Sequence, residues 1–315
     1  MLPESELERA AALLRAGSLI AIPTETVYGL AANALDPAAV ARIYETKGRP
    51  ATSPLIVHVA TIDMARALTS RWPSEADMLA ARFWPGPLTM VLPKAPNVPA
   101  IVTAGLDTVG LRMPSHPTAH ALIERAGIPI AAPSANRFTE LSPTTAQHVR
   151  QSFGDAIPIL DGGPCEVGIE STVISLAGPE PILLRPGILS LHQLEEALHR
   201  TIAIAGTVEG AHPSPGMHHK HYAPRTPVYL VRDGQLPRGR GAYLWYHRPA
   251  DAELPIPMPS DPIRYARILY EALHRADHAH LDFIAVEAPP ETSRWSAVKD
   301  RLTRAASDAG LQAGG

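Results

Sequence analysis

Two hydroxyls and a carboxylate stand together in Pro23-Thr24-Glu25-Thr26-Val27-Tyr28-Gly29-Leu30, just after the apolar run Ser18–Ile22, which reads as a strand. In open α/β sheets ligands bind outside strand ends, so this segment is a candidate for holding a polar substrate. A turn whose hydroxyls satisfy nearby backbone amides explains the same residues. Lys47-Gly48-Arg49-Pro50 sets two cations around a glycine. Arg offers forked donors and Lys a point charge, a combination suited to a phosphate tail. A dipole-favoured helix end with solvated charges is the plainer alternative. Ser134-Ala135-Asn136, after Ala131-Ala132-Pro133, brings a hydroxyl and an amide to a strand end, which an ordinary turn also does. Arg112 in Gly110-Leu111-Arg112-Met113-Pro114 and Arg185 in Leu183-Leu184-Arg185-Pro186-Gly187 are costly to bury unpaired. An anionic ligand or a structural Asp or Glu would serve as partner. In 55–59, Leu55, Val57 and Val59 share one strand face, and Ile56 and His58 share the other.

Other residues carry less. His218, His219 and His221 cluster beside Lys220, but no acidic or Cys residue stands at metal-ligand spacing, so a connector is expected there rather than a metal site. His116 and His120 are four apart, but Pro117 reads as the first residue of the helix, which takes His116 off its face. The chain has no Gly-x-x-x-x-Gly-Lys-Ser/Thr loop, no Gly-x-Gly-x-x-Gly fingerprint and no Gly-x-Ser-x-Gly elbow. Cys165 has no motif of a catalytic cysteine around it.

The elements that must position these groups alternate. Helices are expected at 5–16 (Ser5 as cap, Glu8 completing a capping box), from Asp36-Pro37 to Lys47-Gly48, at 61–69, 74–83 and 117–126, from Ser142-Pro143-Thr144, and at 190–199. Strands are expected at 18–22, 54–59, 88–92, 109–113, 128–132, 157–160, 171–175 and 182–185. This predicts an α/β layer fold for residues 1–205, with a topology that the pattern does not give. Residues 206–227 are Pro-rich and aperiodic and read as a linker. Strands at 228–231, 241–245 and 282–286, with helices at 262–276 and 294–308, predict a small α/β unit over 228–315.

Composition limits the function. Of 315 residues 45% are hydrophobic, enough for a real core, and the formal net charge of −3 shows no excess of cations for a polyanion. Aromatics at 5% argue against a stacking platform for single strands. The 33 prolines are about twice the usual share and point to many fixed turns. One cysteine and an acidic start without a signal-like apolar run lead to the expectation of a reducing, cytoplasmic setting. No stretch of membrane-spanning length is apolar.

Taken in order, Pro23–Leu30, Lys47–Pro50, Pro54–Val59, Val109–Pro114, Pro133–Asn136, Ser142–Thr144, Gly168–Val173 and Leu184–Gly187 resemble the threonylcarbamoyl-AMP synthases of the YrdC-like family. Ser214-Pro215-Gly216-Met217-His218-His219-Lys220-His221-Tyr222-Ala223-Pro224 resembles the connector of the long, two-domain form, and Val298–Leu302 with Arg304-Ala305-Ala306 resembles the end of its second domain. The resemblance implies a twisted α/β sheet with a concave, basic cavity, then a linker and a small Rossmann-like α/β domain.

It also implies the reaction. L-Threonine, bicarbonate and ATP give L-threonylcarbamoyl-AMP and pyrophosphate, for N6-threonylcarbamoylation of adenosine 37 in tRNAs reading codons that begin with A. Carried over by residue, threonine binding falls on Thr26, His58, Arg112 and Ser171, with the backbone near Ala132. ATP binding falls on Lys47, Arg49, Ser53, Thr108, Ser134, Asn136, Ser142 and Arg185, with Mg²⁺ accompanying the nucleotide and Tyr222 reaching back from the connector as a lid. No protein nucleophile is implied. The implied partners are these substrates, a downstream tRNA threonylcarbamoyltransferase and a weak RNA contact. Two departures stand out: Ala132 offers no hydroxyl, and Arg137-Phe138-Thr139 replaces the family's small turn. An RNA-binding module without catalysis and a carbamoyltransferase of related fold are the competing readings.

Overall fold

The computed structural model describes residues 3–205 and 222–306, so residues 206–221 of the expected linker, with His218, His219 and His221, lie outside the described residues. Among the described residues the larger sheet comprises β1 (Ile20–Ile22), β2 (Gly29–Asn33), β3 (Ile56–His58), β4 (Leu88–Pro93), β5 (Thr108–Arg112), β6 (Ile130–Ala131), β7 (Thr172–Ser175), β8 (Ile182–Arg185) and β9 (Ala203–Ile204). Their order is β1-β2-β6-β3-β5-β4-β7-β8-β9. The sheet is mixed: β3 runs parallel to β5 and β4 to β7, while β6 is antiparallel to β3 and β4 to β5. Helices α1 (Glu4–Arg15), α2 (Pro37–Lys47), α3 (Ile62–Arg66), α4 (Ser74–Phe83), α5 (Pro117–Ala126), α6 (Ala146–Phe153) and α7 (Leu191–Leu198) accompany it. The second sheet, β10 (Val228–Val231), β11 (Gly241–Trp245), β12 (Leu254–Pro257) and β13 (Phe283–Glu287), is parallel throughout in the order β10-β13-β11-β12. It carries α8 (Pro262–Asp277) and α9 (Ser296–Ala305).

Local chemistry explains most boundaries. Asp36 caps α2 through Ala38 N–H, Pro37 occupies the first turn, and Gly48 ends the helix at φ 62°, where a side chain would be strained. His116 caps α5, its Nδ1 accepting from Thr118 N–H at 3.2 Å, which keeps it off the helix face of His120. Ser190 and Gln193 form a capping box on α7.

Several expectations are corrected. Helix α1 begins at Glu4 behind Pro3 without a side-chain cap; Ser5 lies inside it, and Glu8 pairs with Arg15 at 2.9 Å. Helix α6 starts after Thr145, because Ser142 gives its hydroxyl to Glu170 instead. Residues 157–160 form only a bridge between Ile159 and Ala21. Strands β2, β9 and β12 were not expected: Gly-Leu-Ala-Ala-Asn has no β-branched residue, and Leu-Pro-Ile-Pro is tolerated at a sheet edge, where proline loses no ladder bond.

The two sheets meet over a shared apolar cluster. Tyr265, Leu269, Leu273, Ile284 and Leu302 of the second unit pack with Val27, Leu141 and Ile169 of the first, and Tyr222 joins them. Gly168, at φ 79°, lets the backbones close: a Cβ there would sit 2.2 Å from the Arg267 carbonyl oxygen.

Candidate active site

The centre of the larger sheet builds the site floor. Parallel pairing puts His58 opposite Arg112, and Ala132, following β6, donates its N–H to Ile56 O at 3.1 Å. Ile56 and His58 face a cavity while Leu55, Val57 and Val59 enter the core, as strand alternation requires. Ser171 immediately precedes β7 and Arg185 ends β8, so both reach the same space. The cavity is open to solvent, spans about 530 Å³ with that open space included, and is lined by Thr26, His58, Arg112, Ala132 and Ser171, and by Arg49, Ser134, Arg185 and Tyr222.

Arg112 is buried and held in place. Its Nη1 donates to Thr26 Oγ1 at 2.8 Å and its Nε to Gly86 O at 3.3 Å. Glu25 lies 2.7 Å from its Nη2, a charge contact not aligned as a hydrogen bond. The structural carboxylate considered for this arginine therefore exists, and Thr26 still links the guanidinium to the cavity. Thr24 Oγ1 lies 2.9 Å from Thr26 Oγ1 and donates to Val27 O at 2.6 Å, which shapes the segment as a turn. Burial, and then the Arg112 charge, press the His58 pKa down to about 3, so the imidazole is neutral at ordinary pH. It can orient a ligand but adds no positive charge.

On the other side, Arg49 lines the cavity, its guanidinium 5.9 Å from the centre of the Phe138 ring and its pKa lowered by burial to about 10. Lys47 is behind the lining. Its Nζ donates to the carbonyls of Ser134 (2.7 Å) and Asn136 (2.5 Å), and burial holds its pKa well below the usual lysine value. The ammonium thus fixes the Ser134–Asn136 loop. Asn136 Nδ2 donates to Arg137 O and Glu140 O, and the buried Oδ1 has no hydrogen-bond partner among the described residues. The departing segment 137–139 fastens two parts together: Phe138 N–H bonds Lys47 O, and Thr139 O accepts from Ala223 N–H next to Tyr222. Ser53 is buried in the loop after Arg49, its carbonyl accepting from Tyr44 OH at 2.9 Å. Thr108 opens β5, at the end of that strand away from Arg112, and is not among the lining residues.

Arg185 donates from Nε to Ser171 O (3.1 Å) and from Nη2 to Ser171 Oγ (3.2 Å), and Thr89 Oγ1 lies 2.8 Å from that hydroxyl. Glu170 also lines the cavity, accepts from Ser142 Oγ at 2.6 Å, and is gripped from the second unit by Tyr270 and Arg301. Burial opposes ionisation of Glu170, but Arg301, Arg185 and the Ser142 bond outweigh it and lower its pKa. Glu170, Arg301 and Tyr270 were not singled out from sequence. The pair Glu170–Arg301 spans 131 residues, and only the quoted segments containing them hinted at a role. Among the described residues no group of three His, Cys, Asp or Glu could hold a metal ion.

Comparisons place this geometry. The family described as "Telomere recombination" matches residues 12–187, and "Threonylcarbamoyl-AMP synthase, C-terminal domain" matches residues 189–307. A threonylcarbamoyl-AMP synthase of Pyrococcus abyssi is 42% identical over 96% of this chain and 94% of its own length. One of Bacillus subtilis is 42% identical over 96% of this chain and 93% of its own. The crystal structure of the P. abyssi protein complexed with L-threonine superposes with a TM-score of 0.90, covering 97% of this chain and 95% of that one at 42% identity. With both halves matched in order across nearly the whole length, this chain belongs to the two-domain threonylcarbamoyl-AMP synthases, the enzymes of t6A tRNA modification.

Proposed function

We propose that the cavity holds L-threonine over the β3–β5 end and ATP toward Arg49, Ser134 and Arg185, and that bicarbonate is captured between them. The observation that carries this reading is the single space shared by three guanidinium groups, Arg49, Arg112 and Arg185, with the Thr26 and Ser171 hydroxyls. Both reactants are anionic, so the site must supply positive charge and placement. Arg112, seated by Glu25 and Thr26, would grip the threonine carboxylate; Ser171, neutral His58 and the backbone at Ala132 would orient the rest. The P. abyssi relative with bound L-threonine supports the choice of amino acid.

In this reading the threonine amine either adds to CO₂ and gives up a proton, or adds to bicarbonate with a C–O bond breaking and water leaving; both routes give the carbamate. A carbamate oxygen then attacks the α-phosphorus, the bond to the bridging oxygen breaks, and pyrophosphate leaves. Arg49 and Arg185 offset the phosphate charge, Ser134 lines the same space, and Lys47 acts through the loop it fixes. The buried Oδ1 of Asn136, without a partner among the described residues, suits a hard cation, which carboxylate-poor nucleotide sites bind mainly through phosphate oxygens. Mg²⁺ held there would supply charge neutralisation at the leaving group.

Tyr222, buried against Tyr270 at the cavity, would act as the lid that keeps water from the carbamate. We take residues 1–205 as the synthetic domain, 206–227 as linker and lid, and 228–315 as the anchor. The product would pass to a tRNA threonylcarbamoyltransferase in the cytoplasm, with at most a weak RNA contact. No helix among the described residues is long and apolar enough to cross a membrane. The test is pyrophosphate release from ATP and bicarbonate: strict dependence on L-threonine is expected. Turnover without threonine, or salt-sensitive RNA binding with no turnover, would overturn the assignment.

A further inference from the structure

Glu170 poses a problem for an anion-binding cavity. It is the acidic residue among the lining groups, and an unpaired carboxylate in that wall would repel each phosphate and the threonine carboxylate. The first domain gives it only the Ser142 hydroxyl at 2.6 Å as a side-chain hydrogen-bond donor among the described residues. Arg185 of the first domain adds its charge, but the larger compensation arrives from α9. Arg301 Nε donates to Glu170 Oε2 at 2.9 Å and Nη2 to the Glu170 carbonyl at 3.1 Å. Tyr270 of α8 donates to the same carboxylate at 3.0 Å.

The same guanidinium reaches further. Arg301 Nη1 donates to Pro186 O at 2.7 Å and to Asp300 Oδ2 at 2.9 Å, and its Cζ lies 5.6 Å from the centre of the Tyr222 ring. Glu170 adjoins Ser171 and Pro186 adjoins Arg185, the two residues that bond each other across the cavity wall. One fully buried arginine therefore neutralises the wall's negative charge, ties both chain segments that carry the Arg185–Ser171 pair, and underlies the lid tyrosine. Asp300, which also holds Arg304 at 2.9 Å, keeps Arg301 oriented.

We propose that Arg301 is a positioning residue for the nucleotide: it is the means by which the second domain turns a cavity containing Glu170 into one that accepts a triphosphate. The proposal rests on the reading of the cavity as the ATP site. It explains how a domain with no lining side chain among its described residues would bear on synthesis: it supplies charge from behind the wall.

The experiment is steady-state pyrophosphate release with ATP and L-threonine varied separately. Full-length R301M, R301K and the double variant R301M/E170Q are compared with the parent. R301M is expected to raise the KM for ATP about tenfold or more, and that for threonine distinctly less. In R301M/E170Q the repelling charge is gone, while the amide oxygen still accepts from Ser142 and Tyr270, and the ATP KM should return to within about threefold of the parent. R301K should fall between R301M and the parent. An unchanged ATP KM in R301M overturns the proposal, and so does a loss in kcat and both KM values that E170Q does not relieve. If thermal unfolding shows that R301M does not fold, the double variant alone decides: a parent-like ATP KM supports the proposal and a tenfold rise overturns it. A parent enzyme that releases no pyrophosphate in response to threonine would instead sink the reading of the site, and this proposal with it.

Discussion

Arg112 shows how a single residue joins stability to specificity. Its partner Glu25 is as buried as it is, so the pair keeps a guanidinium aimed into the cavity without leaving a naked charge in the sheet. On the proposed reading, removing it would cost the threonine carboxylate its cation and leave Glu25 facing it. Arg112→Ala should lower kcat/KM for threonine by about 2–5 kcal/mol in transition-state terms, roughly 30-fold or more. The KM for ATP should move far less, because Arg49 and Arg185 stand elsewhere on the wall. Equal effects on both substrates, measured by pyrophosphate release, would contradict the assignment. Lys47 carries the opposite lesson. A cation beside a glycine reads as a phosphate ligand, yet its ammonium is spent on two carbonyls of the loop that presents Asn136.

Between elements, the seam of α6 and α8 carries a titratable contact. His148 and His274 stack with ring centres 3.8 Å apart. His148 Nδ1 accepts from Thr144 N–H, its Nε2 lies 3.1 Å from Glu271, and His278 and Asp277 face His274. Burial, with the neighbouring rings, lowers His148 to about 3; burial, with His278, lowers His274 to about 4. Both folded pKa values lie below the unfolded value of about 6.5. As pH falls from about 6.5 toward 4, the unfolded chain therefore binds protons that the folded one refuses, and stability drops. The slope approaches ~1.4 kcal/mol per pH unit for each histidine. The melting temperature should fall steadily from pH 7 to pH 4.5, and H148Q/H274Q should make the curve shallower, leaving the slope that buried His58 contributes. A flat curve for the parent would mean that this seam does not hold neutral rings.

For the whole molecule, the proposed reading makes the second domain a wall support as well as a weight on the lid. The larger sheet has a core of its own around Tyr44, Val57, Met90 and Leu111, distinct from the cluster shared with the second domain. Deleting residues 206–315 should leave a cooperatively folded domain by circular dichroism and cripple synthesis at the same time. Full activity in the truncated chain would refute both the lid and the support. The truncation also strips Arg301 and Tyr270 from Glu170, so its loss should be deepest at low ATP.

The linear chain by itself determined the alternating elements, the capped start and glycine end of α2, and the division of 55–59 into two faces, because those depend on neighbours within a turn or two. The segments Pro23–Leu30, Lys47–Pro50 and Pro133–Asn136 were legible as ligand-holding candidates for the same reason: their chemistry is local. The mixed order of the sheet was not, since β2 is too poor in branched residues to announce itself, and the directions and neighbours of the expected strands depend on pairings between distant segments. Pairings such as Glu25 with Arg112 and Glu170 with Arg301 were equally hidden. A buried charge tells from sequence only that it needs a partner, and which partner is decided when folding brings segments 87 and 131 residues apart into one low-dielectric space.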